Sequence, residues 1–157
     1  MKIQFWSMGK TNEAYVISGI EEFTKRINNY FTADWLIISP PKNAAKLSEI
    51  ELKKAEAVII LNQTQKVDFL ILLDERGKQI SSPELAQWIQ QRANVSTKRI
   101  IFLIGGAFGI DKTVTQRADL TWSISHLVFP HMLVRLILSE QVYRACTILR
   151  NEKYHHN

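Results

Sequence analysis

The 157-residue chain has one cysteine, Cys146. A lone cysteine excludes an internal disulfide and any cysteine-built metal site. It lies in an apolar helical run, where it reads as a small core residue. Four prolines and six glycines are too few and too scattered to make a linker, and no repeat or low-complexity segment divides the chain. No apolar run is long enough to cross a membrane. The opening stretch MKIQFWSMGK lacks the long apolar centre of a secretory signal and reads as a strand, so the expected compartment is the cytoplasm. Acids are the scarcer charge, 15 against 20 Lys and Arg, for a formal net charge of +5. That excess permits an anionic partner without requiring one.

Apolar and polar stretches alternate along the chain. Short apolar runs at 2–8, 34–40, 68–78, 99–104 and 118–125 read as strands, the third closing in a turn at Gly77. Between them lie helical stripes. The first, over 12–29, carries Tyr15, Val16, Ile20, Phe23 and Ile27. A second covers 47–62, starting near Ser48 or Glu49. A third opens with Ser82 as N-cap and Pro83 in the first helical position. A long last helix spans 130–151 and is entered through Pro130. Strand–helix alternation predicts one α/β domain over 1–157, with a mainly parallel sheet covered by helices on both faces.

The stretch RIIFLIGGAFGIDKT (99–113) ends a strand in Gly105, Gly106 and Gly109. Such loops admit a ligand or another backbone at close range. The spacing G-G-x-x-G is neither the dinucleotide fingerprint nor a P-loop, and Asp111 would repel phosphate. A tight turn with no ligand is the equal alternative. Ligands in parallel sheets sit at the carboxyl ends of strands. Three such ends are unusual: Leu73-Asp74, the glycine loop, and SISHLVFPH (123–131). Gathered at one edge they would line a pocket of backbone and apolar groups, better suited to an adenosyl group than to a triphosphate. The last helix is apolar almost all round, and a second apolar face calls for a second copy of the chain or for deep burial.

LLDERGK (72–78), LIGGAFGID (103–111), FPHMLVRLILSEQVYRA (129–145) and the tail YHHN resemble a bacterial family of the SPOUT superfamily. That family methylates N3 of a pseudouridine in 23S ribosomal RNA, and the resemblance covers the whole chain in order. It implies a trefoil-knotted α/β fold, with the cofactor-binding knot over about 70–150. It implies S-adenosylmethionine as methyl donor and a homodimer whose active sites draw on both chains. Carried over by position, the cofactor site comprises Leu73, Gly105, Gly106, Ile124, Ser125, His126, Leu127, Val128 and Phe129. The sequence departs from the family's usual pattern at Val128, Met132 and His156.

Methyl transfer to N3 requires loss of the N3 proton, a task suited to histidine. His131 and His155 are the candidates for catalysis. Arg135, Arg144, Tyr154, His155 and His156 are the candidates for contact with ribosomal RNA or the ribosome, through phosphate pairing and base stacking. Neither a metal nor a membrane is expected. Two other classes account for parts of the sequence. A non-catalytic RNA-binding module explains the charge and tail but not the glycine-lined pocket. A nicotinamide-dependent oxidoreductase lacks the required glycine spacing and ribose-binding acid.

Overall fold

The computed structural model describes residues 1–10 and 13–155. Its strands are β1 (Lys2–Met8), β2 (Thr32–Ile38), β3 (Phe69–Gln79), β4 (Arg99–Ile104) and β5 (Leu120–Ser123). Its helices are α1 (Ala14–Ile27), α2 (Glu49–Gln63), α3 (Ser82–Asn94), α4 (Lys112–Arg117) and α5 (His131–Leu149), with one 3₁₀ turn at Ala44–Lys46. The strands form one sheet in the order β2-β1-β4-β3-β5, with every pairing parallel.

Period-2 alternation within each strand sorts the core into two layers. Ile3, Phe5, Ile71, Ile100, Phe102 and Ile104 face α1, α3 and α5, meeting Ile27, Leu85, Ile89, Leu138 and Val142. Trp6, Met8, Leu70, Leu72, Ile101 and Leu103 face the other way, toward Ala57 and Ile60 of α2 and Val114 of α4. Both faces of the central strands are dry, which is why those strands read as unbroken apolar runs.

Several boundaries differ from the sequence reading, each for a local reason. Ser81, not Ser82, caps α3: its hydroxyl accepts the Glu84 N–H while the Glu84 carboxylate accepts the Ser81 N–H, a reciprocal box that leaves Pro83 in the second helical position. Ser48 and Glu51 make the same box on α2. Tyr15, expected on the buried stripe of α1, is exposed, and Val16, Ile20 and Ile27 carry that face. The short helix α4 escaped the sequence reading because six residues hold too little periodicity. Asp111 caps it, accepting from the Thr113 backbone N–H at 2.9 Å.

Gly77 makes no turn. β3 runs through it to Gln79, with a register shift in which Leu73 and Lys78 both pair with Trp122 of β5. A β-carbon on Gly77 would lie 2.8 Å from backbone atoms of Thr121 and Trp122. Only glycine permits this approach, and it pushes Asp74, Glu75 and Arg76 out of the ladder as a bulge.

Candidate active site

The bulge, the glycine loop and the loop before α5 gather at the carboxyl edge of the sheet. They enclose a cavity of about 470 Å³, within the range of small-molecule sites. Leu73, Gly105, Gly106, Ile124, Ser125, Leu127, Val128 and Phe129 line it, and His131 closes one side. His126 does not line it. Its Nδ1 instead lies 3.4 Å from the Glu75 carbonyl oxygen, tying the loop before α5 to the β3 bulge.

Each wall is fixed locally. In the bulge, the Asp74 carboxylate accepts from the Arg76 backbone N–H (2.9 Å), Nε (2.8 Å) and Nη2 (2.7 Å). The Arg76 hydrogen bonds hold Asp74 below the usual carboxylate range, so it stays ionised. In the glycine loop, Gly109 has φ +86° and donates its N–H to the Gly106 carbonyl at 3.0 Å. A β-carbon on Gly105 would lie 2.5 Å from Cγ1 of Ile110, and one on Gly106 would lie 2.6 Å from Oε2 of Glu56. These two glycines therefore clear space for side chains of the protein itself, not directly for a ligand as the sequence suggested. In the third wall, Ser123 Oγ donates to the Ser125 carbonyl and Ser125 Oγ accepts the Leu127 N–H, both at 2.9 Å. Leu127 and Val128 are left exposed, Val128 at 85%.

Asp74, at one of the three strand ends that stood out in the sequence, lines the cavity; Glu75 in the bulge, Trp122 and the half-exposed Phe108 line it too and were not singled out. Glu75 became legible only once β3 was known to leave its ladder.

His131 opens α5 and is half-buried. Burial, and secondarily the Arg135 charge, holds its imidazole below the ordinary histidine range. Arg135 stands elsewhere than the RNA-facing surface expected of it. It is 1% exposed, and its Nε donates to Ser7 Oγ at 2.9 Å.

Arg144, Tyr154 and His155 lie beyond the cavity, near the other end of α5. Arg144 donates to Glu140 Oε1 from Nε (3.0 Å) and Nη2 (2.6 Å), and the Tyr154 hydroxyl donates to the same oxygen at 3.1 Å. The Tyr154 ring stands edge-on to Tyr143, with 4.7 Å between centroids, and the Arg144 guanidinium lies 4.8 Å from the Tyr154 centroid. His155 is half-buried, and its Nδ1 has no hydrogen-bond partner among the described residues. His156 lies outside the described residues. From His131 to Arg144 is 13 helical residues, about 20 Å at 1.5 Å per residue. Within one chain the structure does not bring the two candidate histidines together.

A family model described as "Predicted SPOUT methyltransferase" matches residues 1–155. The chain belongs to the SPOUT methyltransferase family. Among its relatives, a protein of Cytophaga hutchinsonii is 46% identical over 99% of this chain and all of its own length. One of Christiangramia forsetii is 42% identical over 99% of both chains, and one of Porphyromonas gingivalis is 36% identical over the same shares. Each of the three is named ribosomal RNA large subunit methyltransferase H. As a SPOUT methyltransferase the chain is an enzyme, so neither the binding-module nor the nicotinamide reading stands. Among its described residues no helix is long and apolar enough to cross a membrane, and no group of three or more His, Cys, Asp and Glu is placed to hold a metal ion.

Proposed function

We propose that the chain transfers a methyl group from S-adenosylmethionine to N3 of a pseudouridine in large-subunit ribosomal RNA, working in the cytoplasm as a homodimer. The observation that carries this reading is the cavity. Its walls are loop backbone and apolar side chains, suited to an adenosyl group. Of its charged lining groups, Asp74 is paired with Arg76, which leaves Glu75 as the acid in excess and a small bias toward a cationic ligand over a phosphorylated one. The names of the relatives supply the substrate class.

When bound, S-adenosylmethionine supplies a methyl carbon on a positively charged sulfur. The chain's task is to align the acceptor with that carbon and to take up the N3 proton. His131 is the candidate for the second role. It borders the cavity, and its depressed pKa keeps it neutral and able to accept a proton at neutral pH. Arg144, Tyr154, His155 and His156 serve RNA.

The distance along α5 supports a dimer. The tail of one chain reaches a cavity only if a second copy brings it there. Leu133, Leu136 and Ile137 are half-exposed on α5 and form a stripe at i, i+3, i+4 for such a partner. The knotted path implied by the resemblance belongs to the same proposal.

Calorimetry with S-adenosylmethionine and transfer of labelled methyl groups to ribosomes and isolated large subunits test this reading. Stoichiometric binding and label at one nucleotide are expected. A protein that binds no S-adenosylmethionine, or leaves ribosomal RNA unlabelled, would overturn it.

A further inference from the structure

Arg135 is the one buried Lys or Arg among the described residues and among the largest side chains there that are sealed from solvent. Burying a guanidinium is costly, and an apolar side chain of similar volume would fill the space at lower cost. Its contacts show what the charge holds. Nε donates to the buried Ser7 Oγ at 2.9 Å, Nη1 donates to the Lys10 carbonyl at 3.0 Å, and Nη1 lies 3.5 Å from Met132 Sδ. Ser7 and Lys10 flank Gly9, which turns the chain at φ +122° with its Cα substituent position 4.0 Å from Nη2. The Gly9 N–H donates to Ile38 at 3.0 Å, so the turn is pinned from both sides. Met132 follows His131, and Arg135 is four residues beyond His131, on the same side of α5.

We propose that Arg135 is a positioning residue for the cavity. It locks the turn after β1 to the first turn of α5, and it holds a permanent positive charge one helical turn from the His131 imidazole. This rests on the methyltransferase reading in which His131 takes the N3 proton. A guanidinium does not titrate in the working range, and its field is weakly screened where water is excluded. Of the charged groups, Asp74, Glu75 and Arg76 of the β3 bulge share the cavity lining with His131, Arg135 lies on the same helix as His131, and the turn after β1 reaches Arg135 through the Lys10 backbone carbonyl. Burial first and Arg135 second set the direction of the His131 pKa. Removing the Arg135 charge while keeping the site filled must therefore raise the His131 pKa.

Two variants of the full-length protein test this. Arg135→Met keeps the volume and deletes the charge; Arg135→Lys keeps the charge and loses the planar fork. Histidine-selective NMR reads the His131 titration, hydrogen exchange reads the Trp6–Lys10 amides, and the methylation rate is followed against pH. In Arg135→Met, His131 should titrate at higher pH than in the wild type, and the acid limb of the rate profile should move the same way. In Arg135→Lys, the His131 titration should stay near that of the wild type while the turn amides exchange faster. A folded Arg135→Met with unmoved His131 titration overturns the proposal. If that variant does not fold, wild-type exchange protection in Arg135→Lys overturns it instead. The NMR and exchange readings need no substrate, so they remain decisive if the wild type methylates no RNA, the result that would sink the functional reading alone.

Discussion

Gly106 passes so close to Glu56 that a β-carbon on the glycine would stand 2.6 Å from the buried carboxylate. Glu56 is 6% exposed on α2, so its side chain has little room to retreat. Gly106→Ala should destabilise by about 1–3 kcal/mol, the usual range for overpacking. In a Glu56→Ala background the same change should cost much less. A double-mutant cycle by urea unfolding reads this. Equal costs in both backgrounds would show that Glu56 does not set the identity of residue 106.

Burial also raises the Glu56 pKa above the ordinary carboxylate range. Between the unfolded and folded pKa values the folded state then binds more protons than the unfolded one. Stability from this group therefore falls as pH rises through that window. Glu56→Gln removes the titration. Its unfolding free energy should fall less than that of the wild type as pH rises from the acid side toward neutrality, and the difference between the two curves isolates Glu56 from the many carboxylates shifted the other way. Parallel curves would contradict the assignment.

Tyr154 is docked on α5, against Glu140, Tyr143 and Arg144. Tyr154→Phe loses the hydrogen bond to Glu140 and should cost about 1 kcal/mol. Tyr154→Ala also loses the contacts with Tyr143 and Arg144 and should cost more. Both should bind S-adenosylmethionine as the wild type does, since Tyr154 does not line the cavity, while methylation of ribosomes falls. Full activity in Tyr154→Ala would remove the tail from the substrate site.

Assembly turns on the outer stripe of α5. Leu136 packs on Gly19 of α1, where an added β-carbon would come within 2.6 Å of its Cδ1, so Ile137 is the cleaner probe. Ile137→Glu should give a folded monomer by light scattering that is inactive, because the tail of a second copy would no longer reach the cavity. A wild-type monomer at micromolar concentration would refute the dimer.

The fold class was legible because its signal is local. Unbroken apolar runs at 69–73 and 100–104 mark strands buried on both faces, and Ser48 or Glu49 marks a helix start. The short α4 and the bulge in β3 after Leu73 were not legible. Six residues carry no period, and the bulge depends on pairing with a strand more than forty residues away.

The sequence by itself determined the parallel α/β class, the three loops that meet at the sheet edge and the apolar excess of the last helix, because each follows from residue type and spacing along the chain. Only the tertiary structure decided what the side chains in those places do. It turned Arg135 inward onto Ser7, set Glu56 beneath Gly106, and made Gly77 a point of contact with β5 in place of a turn. It also carried Tyr154 onto Tyr143, far along α5 from His131. Each of these joins residues distant in sequence or fixes which way a side chain points. Local pattern cannot encode either, because both depend on how the packed elements exclude water and satisfy one another's polar groups.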